Sequence, residues 1–185
     1  MSEKIEVLAI SGSLRKGSYN TAALRAAQEL APSGMQIEIA DISDIPLYNA
    51  DVQAQGFPEP VRELAERIRK ADALLFGCPE YNYSMSGVLK NGIDWISRLE
   101  NQPFSGKPAA IVGASLGPIG TARAQYDLRK SGVFLNMPFV LQPEVMIGKA
   151  QDAFDASGRL TNDKTRELIG KLLDALAGLV RQLRS

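Results

Sequence analysis

The chain reads as an α/β protein in which a five-stranded parallel sheet is covered by helices on both faces. Two observations predict this. Short apolar runs of strand length alternate with segments at helical spacing along the whole sequence, and each run breaks at a cluster of Ser, Gly or Pro. No repeat, linker or low-complexity tract interrupts the alternation, so residues 1–185 are expected to form one domain.

The run Ile5-Glu6-Val7-Leu8-Ala9-Ile10 is mostly apolar, as a strand buried on both faces must be, and it stops at Ser11-Gly12-Ser13. A helix follows from about Asn20, favoured by Ala22, Ala23, Leu24, Ala26 and Ala27 and ended by Pro32-Ser33-Gly34. Met35 to Ala40 alternates, which suits a strand near the sheet edge. Asp41 to Glu59, with its Pro, Asp and Asn residues, reads as a long surface loop. Pro60 then opens a helix with Val61, Leu64, Ala65 and Ile68 on one face.

Ala73 to Cys78 is the third strand, halted by Pro79, and Val88 to Leu99 carries the next apolar helix face. Pro108 to Ala114 is the fourth strand, followed by a Gly-rich loop and another helix. Val133 to Leu141 is read as a short fifth strand interrupted by Pro138. The closing helix carries Ile169, Leu172, Leu173, Leu176, Leu179, Val180 and Leu183 at helical spacing.

Composition narrows the chemistry. Lys+Arg and Asp+Glu both total 21, so no net field points to nucleic acid or an anionic membrane. No apolar run approaches the roughly 20 residues needed to cross a bilayer. The chain starts Met1-Ser2-Glu3-Lys4 and runs straight into a strand, so no signal peptide is expected. A single cysteine forms no internal disulfide and fits a reducing cytoplasm, the expected location. There is no histidine, which removes Ser-His-Asp and Cys-His catalysis and His-ligated zinc. No metal site is expected, and an organic cofactor is the economical source of reactivity.

Parallel sheets of this kind bind ligands beyond the carboxyl ends of their strands. Three loops fall there. The first, Ser11-Gly12-Ser13-Leu14-Arg15-Lys16-Gly17-Ser18-Tyr19-Asn20, offers hydroxyls, a guanidinium and the amides of a helix N-terminus, a donor set for an anion. Asn20 is read either as the helix N-cap or as a phosphate ligand. Gly12 and Gly17 copy P-loop spacing, but Ser18-Tyr19 stands where Lys-Ser/Thr is required, and Gly-x-Gly-x-x-Gly is missing. A phosphomonoester therefore fits better than a pyrophosphate or triphosphate. The second loop, Pro79-Glu80-Tyr81-Asn82-Tyr83-Ser84-Met85-Ser86-Gly87, concentrates rings and amides that suit a flat heteroaromatic ligand; it also reads as a capping loop with Ser86 as N-cap. Glu80 stands as a general acid/base or as a locally bonded carboxylate. The third loop, Ser115 to Arg123, brings glycines to the crevice; Arg123 meets a coenzyme phosphate or has a surface role. Cys78 is expected to be a buried small hydrophobe.

These segments resemble the NAD(P)H-dependent FMN reductase family, in its bacterial quinone/chromate reductase branch. Gly12-Ser13-Leu14-Arg15-Lys16-Gly17-Ser18-x-Asn20 is similar to that family's phosphate loop, and Pro79 to Ser84 with Gly87-Val88-Leu89-Lys90-Asn91-x-Ile93-Asp94-Trp95 to its flavin segment. The resemblance implies a flavodoxin-like three-layer sandwich with strand order 2-1-3-4-5, non-covalent FMN, NAD(P)H as electron donor and hydride acceptance at flavin N5. No side chain is then a catalytic residue. It implies quinones as acceptors, with chromate and azo compounds possible, and a homodimer or homotetramer.

By the same resemblance FMN lies along Ser11, Ser13, Leu14, Arg15, Lys16, Gly17, Ser18, Tyr19 and Asn20, then Pro79, Glu80, Tyr81, Asn82, Tyr83 and Ser84, then Ser115 and Gly117. The sequence departs from the family pattern at Ser86 (often Pro), Gly92 (often Ala) and Gly120-Thr121 (often paired glycines). An electron carrier of the flavodoxin type and a supplier of free reduced flavin remain as alternatives; carriers of that type tend to be acidic, and this chain is neutral.

Overall fold

A computed structural model describes residues 4–184. Its sheet holds β1 (Ile5–Ser11), β2 (Met35–Ala40), β3 (Ala73–Gly77), β6 (Ala109–Ala114) and β7 (Val145–Ile147). All are parallel, in the order β2-β1-β3-β6-β7, which is the expected 2-1-3-4-5. Two further short strands, β4 (Glu80–Tyr81) and β5 (Ser84–Met85), form a separate antiparallel hairpin.

The strands alternate between two cores. Val7, Ala9, Leu75, Ala110 and Val112 face one cluster, which α1 (Tyr19–Glu29) and α7 (Asp163–Arg184) close with Leu24, Leu172 and Leu176. Leu8, Ile10, Leu74, Phe76 and Ile111 face the other, closed by α3 (Glu59–Lys70), α4 (Gly87–Ile96) and α5 (Ala122–Phe134). Burial on both faces is why β1, β3 and β6 read as apolar runs, whereas the edge strand β2 alternates. The three layers are thus set by period-two alternation in strands meeting period-3.6 stripes in helices.

The structure corrects three details. The fifth strand is not within Val133 to Leu141. Val133 and Phe134 finish α5 with 84% and 87% of their surface exposed, Phe139 makes only an isolated bridge to Ala109, and the strand proper is Val145–Ile147. Pro138 and Pro143 bracket the intervening segment, and each removes the backbone donor that ladder pairing requires. The loop between Asp41 and Glu59 contains a short helix, α2 (Ala50–Ala54), capped by Asn49. Finally, α1 is capped by Ser18, whose hydroxyl accepts from Thr21 N, and not by Asn20.

Candidate active site

Parallel register brings the carboxyl ends of β1, β3 and β6 to one rim. Ser11 sits opposite Gly77, and Gly77 opposite Val112. Gly12 N donates to Gly77 O at 2.8 Å and Cys78 N to Val112 O at 2.9 Å, so the first two loops leave the sheet side by side. Gly12 is needed there, since a Cβ would fall 2.7 Å from the Pro79 ring and 2.9 Å from Ser86 Oγ. Ser86 fixes the junction by donating to Gly12 O at 2.6 Å while capping α4 through Leu89 N. Its reading as an N-cap agrees with this geometry, and the hydroxyl does work that Pro would not do.

Asn20 joins the first loop to the third. Its Nδ2 donates to Ala114 O at 3.0 Å and its Oδ1 accepts from Ala114 N at 2.9 Å, with the side chain buried. This replaces its expected role as cap, and both amide groups are used in tying the start of α1 to the end of β6. Ser115 then holds its own loop, donating to Gly120 O at 2.6 Å. Gly120 has φ +67°, and a Cβ there would lie 2.8 Å from the Met146 carbonyl carbon.

Between the loops lies a crevice of about 500 Å³ lined by Ser13, Arg15, Ser18, Tyr19, Asn20, Pro79, Glu80, Tyr81, Ala114, Ser115 and Leu116. It continues through Glu80 and Ser115 into a second hollow of about 360 Å³, lined by Asn82, Tyr83, Gly117, Pro118, Ile119, Gly120 and Arg123. Ser11, Leu14 and Lys16 turn instead to a neighbouring crevice on the other side of the first loop. Gly17 and Ser84 line neither half; Ser84 hydrogen-bonds Asp127, which lowers that carboxyl below its ordinary value, helped by Lys130. The reading of the sequence passed over Leu116 and Ile119, exposed by 64% and 53%. Large apolar residues in a Gly-rich loop were the available signal for them.

Glu80 is locally bonded. Its carboxylate, 7% exposed, accepts from the backbone amides of Arg123 and Ala124 at 3.1 and 3.3 Å and pairs with the Arg123 guanidinium, Nε to Oε1 at 2.6 Å. The Thr121 hydroxyl accepts from the Gln125 side chain and from no backbone amide of the first turn of α5, so Glu80 caps that helix from another element. The Arg123 guanidinium carbon also lies 3.6 Å from the Tyr83 ring centroid. Tyr83 and Asn82 form the tight turn of the hairpin at φ +71° and +50°. Asn tolerates positive φ, whereas Tyr does not, and the Arg123 cation stacks on Tyr83, the residue the turn strains. Cys78 is fully buried beneath it, and burial, with the Glu80 and Asp127 charges adding to it, pushes the thiol up to about 12.

The donor set fits a phosphomonoester. Ser13 and Ser18 present hydroxyls, and Arg15 supplies a guanidinium with no carboxylate partner among the described residues. The amides of Leu14, Lys16 and Gly17 have no backbone acceptor among the described residues. Tyr19 and Asn20 stand at the amino end of an 11-residue helix, whose first amides have no intrahelical partner. Among the described residues no group of three or more Cys, Asp or Glu is placed to hold a metal ion, and no helix is long and apolar enough to cross a membrane.

Residues 5–152 match the family model for NADPH-dependent FMN reductase. The chain belongs to that family. It is 65% identical over 184 residues to an NAD(P)H-dependent FMN reductase of Pseudomonas aeruginosa, and 44% identical over 187 residues to a quinone reductase of Escherichia coli, each pairing covering 100% of both chains. Among solved structures it resembles the flavoenzyme NAD(P)H:(acceptor) oxidoreductase FerB of Paracoccus denitrificans, with a TM-score of 0.87 and 36% identity over 96% of this chain and 98% of that one. Family and architecture agree on a flavodoxin-like oxidoreductase that uses FMN and NAD(P)H.

Proposed function

We propose that this protein is a cytoplasmic, single-domain oxidoreductase that passes electrons from NAD(P)H through one non-covalent FMN to quinones or similar small acceptors. The observation that carries the site assignment is the joining of three loops into one crevice, with phosphate-binding groups at one end and tyrosine-bearing walls at the other.

In this reading Ser13, Arg15, Ser18 and the free loop amides hold the FMN phosphate at the positive end of α1. Pro79 to Tyr83 and Ser115 to Gly117 form the walls for the ring. Bound FMN supplies the hydride chemistry at N5. The residues supply position and exclude water, and no side-chain acid or base is required, which suits a chain with no histidine. Coenzyme and acceptor share the hollow beside Tyr83, Pro118 and Ile119 in turn, giving a ping-pong cycle.

We further propose that the chain works as a homodimer or homotetramer. Tyr126 and Val133 lie seven residues apart on α5, and with Phe134 and Leu141 are exposed by 50%, 84%, 87% and 72%. Arg129 donates to Val140 O at 2.9 Å, which keeps Leu141 beside that helix. Such a face on one molecule is an expected subunit contact.

Anaerobic addition of NADH or NADPH to the FMN-loaded protein tests the activity. Bleaching of the flavin spectrum and its return on adding a quinone are expected. A flavin that neither coenzyme bleaches would leave an electron carrier instead.

A further inference from the structure

Asn20 lines the crevice of the three loops and is 6% exposed, yet its amide is spent on the backbone of β6. The reason lies in the sheet. Alternate residues of a parallel strand present their N–H and C=O to the same neighbour. Between β3 and β6 that ladder ends where Cys78 N donates to Val112 O at 2.9 Å. Pro79 has no N–H, and the chain turns there into the hairpin, so Ala114, two residues beyond Val112, faces the side that β3 has left. The Asn20 amide stands in for the departed strand: Oδ1 accepts from Ala114 N at 2.9 Å and Nδ2 donates to Ala114 O at 3.0 Å. One planar group thereby satisfies two buried backbone groups that would be costly to leave unpaired. Gly77 permits the approach, since a Cβ there would lie 3.2 Å from Asn20 O and 3.1 Å from the Leu24 side chain.

This bridge joins the two ends of the crevice. Asn20 is two residues from Ser18, which caps α1 and lines the phosphate end. Ala114 directly precedes Ser115, with which the third loop begins. That loop is also fastened from behind, where Ala150 N donates to Ser115 O and Lys149 N to Gly117 O, each at 3.0 Å. With both sides tied, the distance from the phosphate turn to the third loop is fixed before any ligand arrives. A ligand that spans the two feels an error in that distance at both of its ends.

We propose that Asn20 is a positioning residue for the flavin. By replacing the missing stretch of β3 it sets the spacing between the phosphate turn and the ring wall that begins at Ser115, and it is not a phosphate ligand. The inference rests on the FMN reading above and deepens it by giving one residue the task of aligning ring with phosphate.

Riboflavin, which has the same ring and no phosphate, separates the two roles, and quenching of flavin fluorescence measures both affinities. In Asn20→Ala, Kd for FMN and Kd for riboflavin are expected to rise together, each about tenfold, leaving their ratio within about twofold of the wild type. Asn20→Asp is the second variant. Its carboxyl matches the amide in shape but can donate to Ala114 O only when protonated, and burial raises the pKa of such a group. Riboflavin affinity in Asn20→Asp is therefore expected to be weak at pH 8 and to recover toward the wild-type value at pH 5. Arg15 and Glu80, the charged groups lining the same crevice, are common to both proteins, so the wild type over the same range is the control.

Weakened FMN binding with unchanged riboflavin binding in Asn20→Ala would make Asn20 a phosphate ligand and overturn the proposal. Riboflavin affinity in Asn20→Asp that follows the wild type at both pH values would also overturn it. Where the wild type holds riboflavin too weakly to measure, the visible circular dichroism of FMN at saturation takes its place: a band altered in Asn20→Ala supports the proposal and an identical band overturns it. A wild type that binds neither flavin is a separate result that sinks the functional reading itself.

Discussion

Glu80 was open to two interpretations from sequence, catalytic group or local anchor, and its geometry decides the matter. The carboxylate closes the first turn of α5 from the hairpin, where Thr121 leaves it uncapped, and pairs with an Arg123 that stacks on Tyr83. Glu80→Ala is therefore expected to destabilise the fold by about 2 kcal/mol, combining a lost cap with a lost charge-assisted bond. Urea denaturation measures this, and an unchanged midpoint would contradict the anchoring role. Cys78 gives a pH-dependent test. Its thiol is held up to about 12 against an ordinary value of 9.0, because burial disfavours the thiolate. The unfolded chain releases this proton above pH 9 and the folded chain does not, so the contribution is whole below 9 and lost as pH rises toward 12. Stability should fall by up to about 1.4 kcal/mol per pH unit from this group alone. Comparing denaturation of wild type and Cys78→Ala at pH 8 and 10 isolates that share; identical slopes would contradict it.

At the scale of elements, β1, β3 and β6 were legible because burial on both faces leaves an apolar run that needs no partner to be recognised, and the edge strand β2 was legible from its alternation. The fifth was not, since β7 is only three residues long and is defined by its pairing with β6. Val133 and Phe134 misled for the opposite reason, being apolar residues on the outward side of a helix. The hairpin after β3 was hidden because Asn82-Tyr83 lacks the glycine that usually marks positive φ. The clustering of loops at one rim was legible, because the fold class dictates it; the division of the first loop between two crevices was not, because it depends on which way each side chain turns. Gly92, a departure from the family pattern, has a consequence in α4. It is buried beside a void of about 10 Å³ lined by Ile10, Leu64, Phe76 and Phe104, and a Cβ added there meets nothing within 4 Å. Gly92→Ala should stabilise the protein by about 1 kcal/mol through helix propensity, with the filled space adding to it. A thermal midpoint that drops would contradict this packing.

For the whole molecule, two surfaces are distinct. The carboxyl rim carries the donor-rich crevice, and the outer face of α5 carries exposed apolar side chains. If the proposed subunit contact lies on this face, replacing both Val133 and Phe134 with Glu is expected to lower the mass found by light scattering from that of a dimer or tetramer to that of a monomer; an unchanged oligomeric mass, or a wild type that is already monomeric, would contradict it. The central claim concerns where the cofactor lies, and a crystal structure of the FMN complex tests it most directly. The phosphate is expected within hydrogen-bond distance of Ser13, Arg15, Ser18 and the amides of Leu14, Lys16 and Gly17, with the ring between Pro79 to Tyr83 and Ser115 to Gly117. A phosphate seated instead beside Arg25 and Asp41, or a ring away from both walls, would contradict the account.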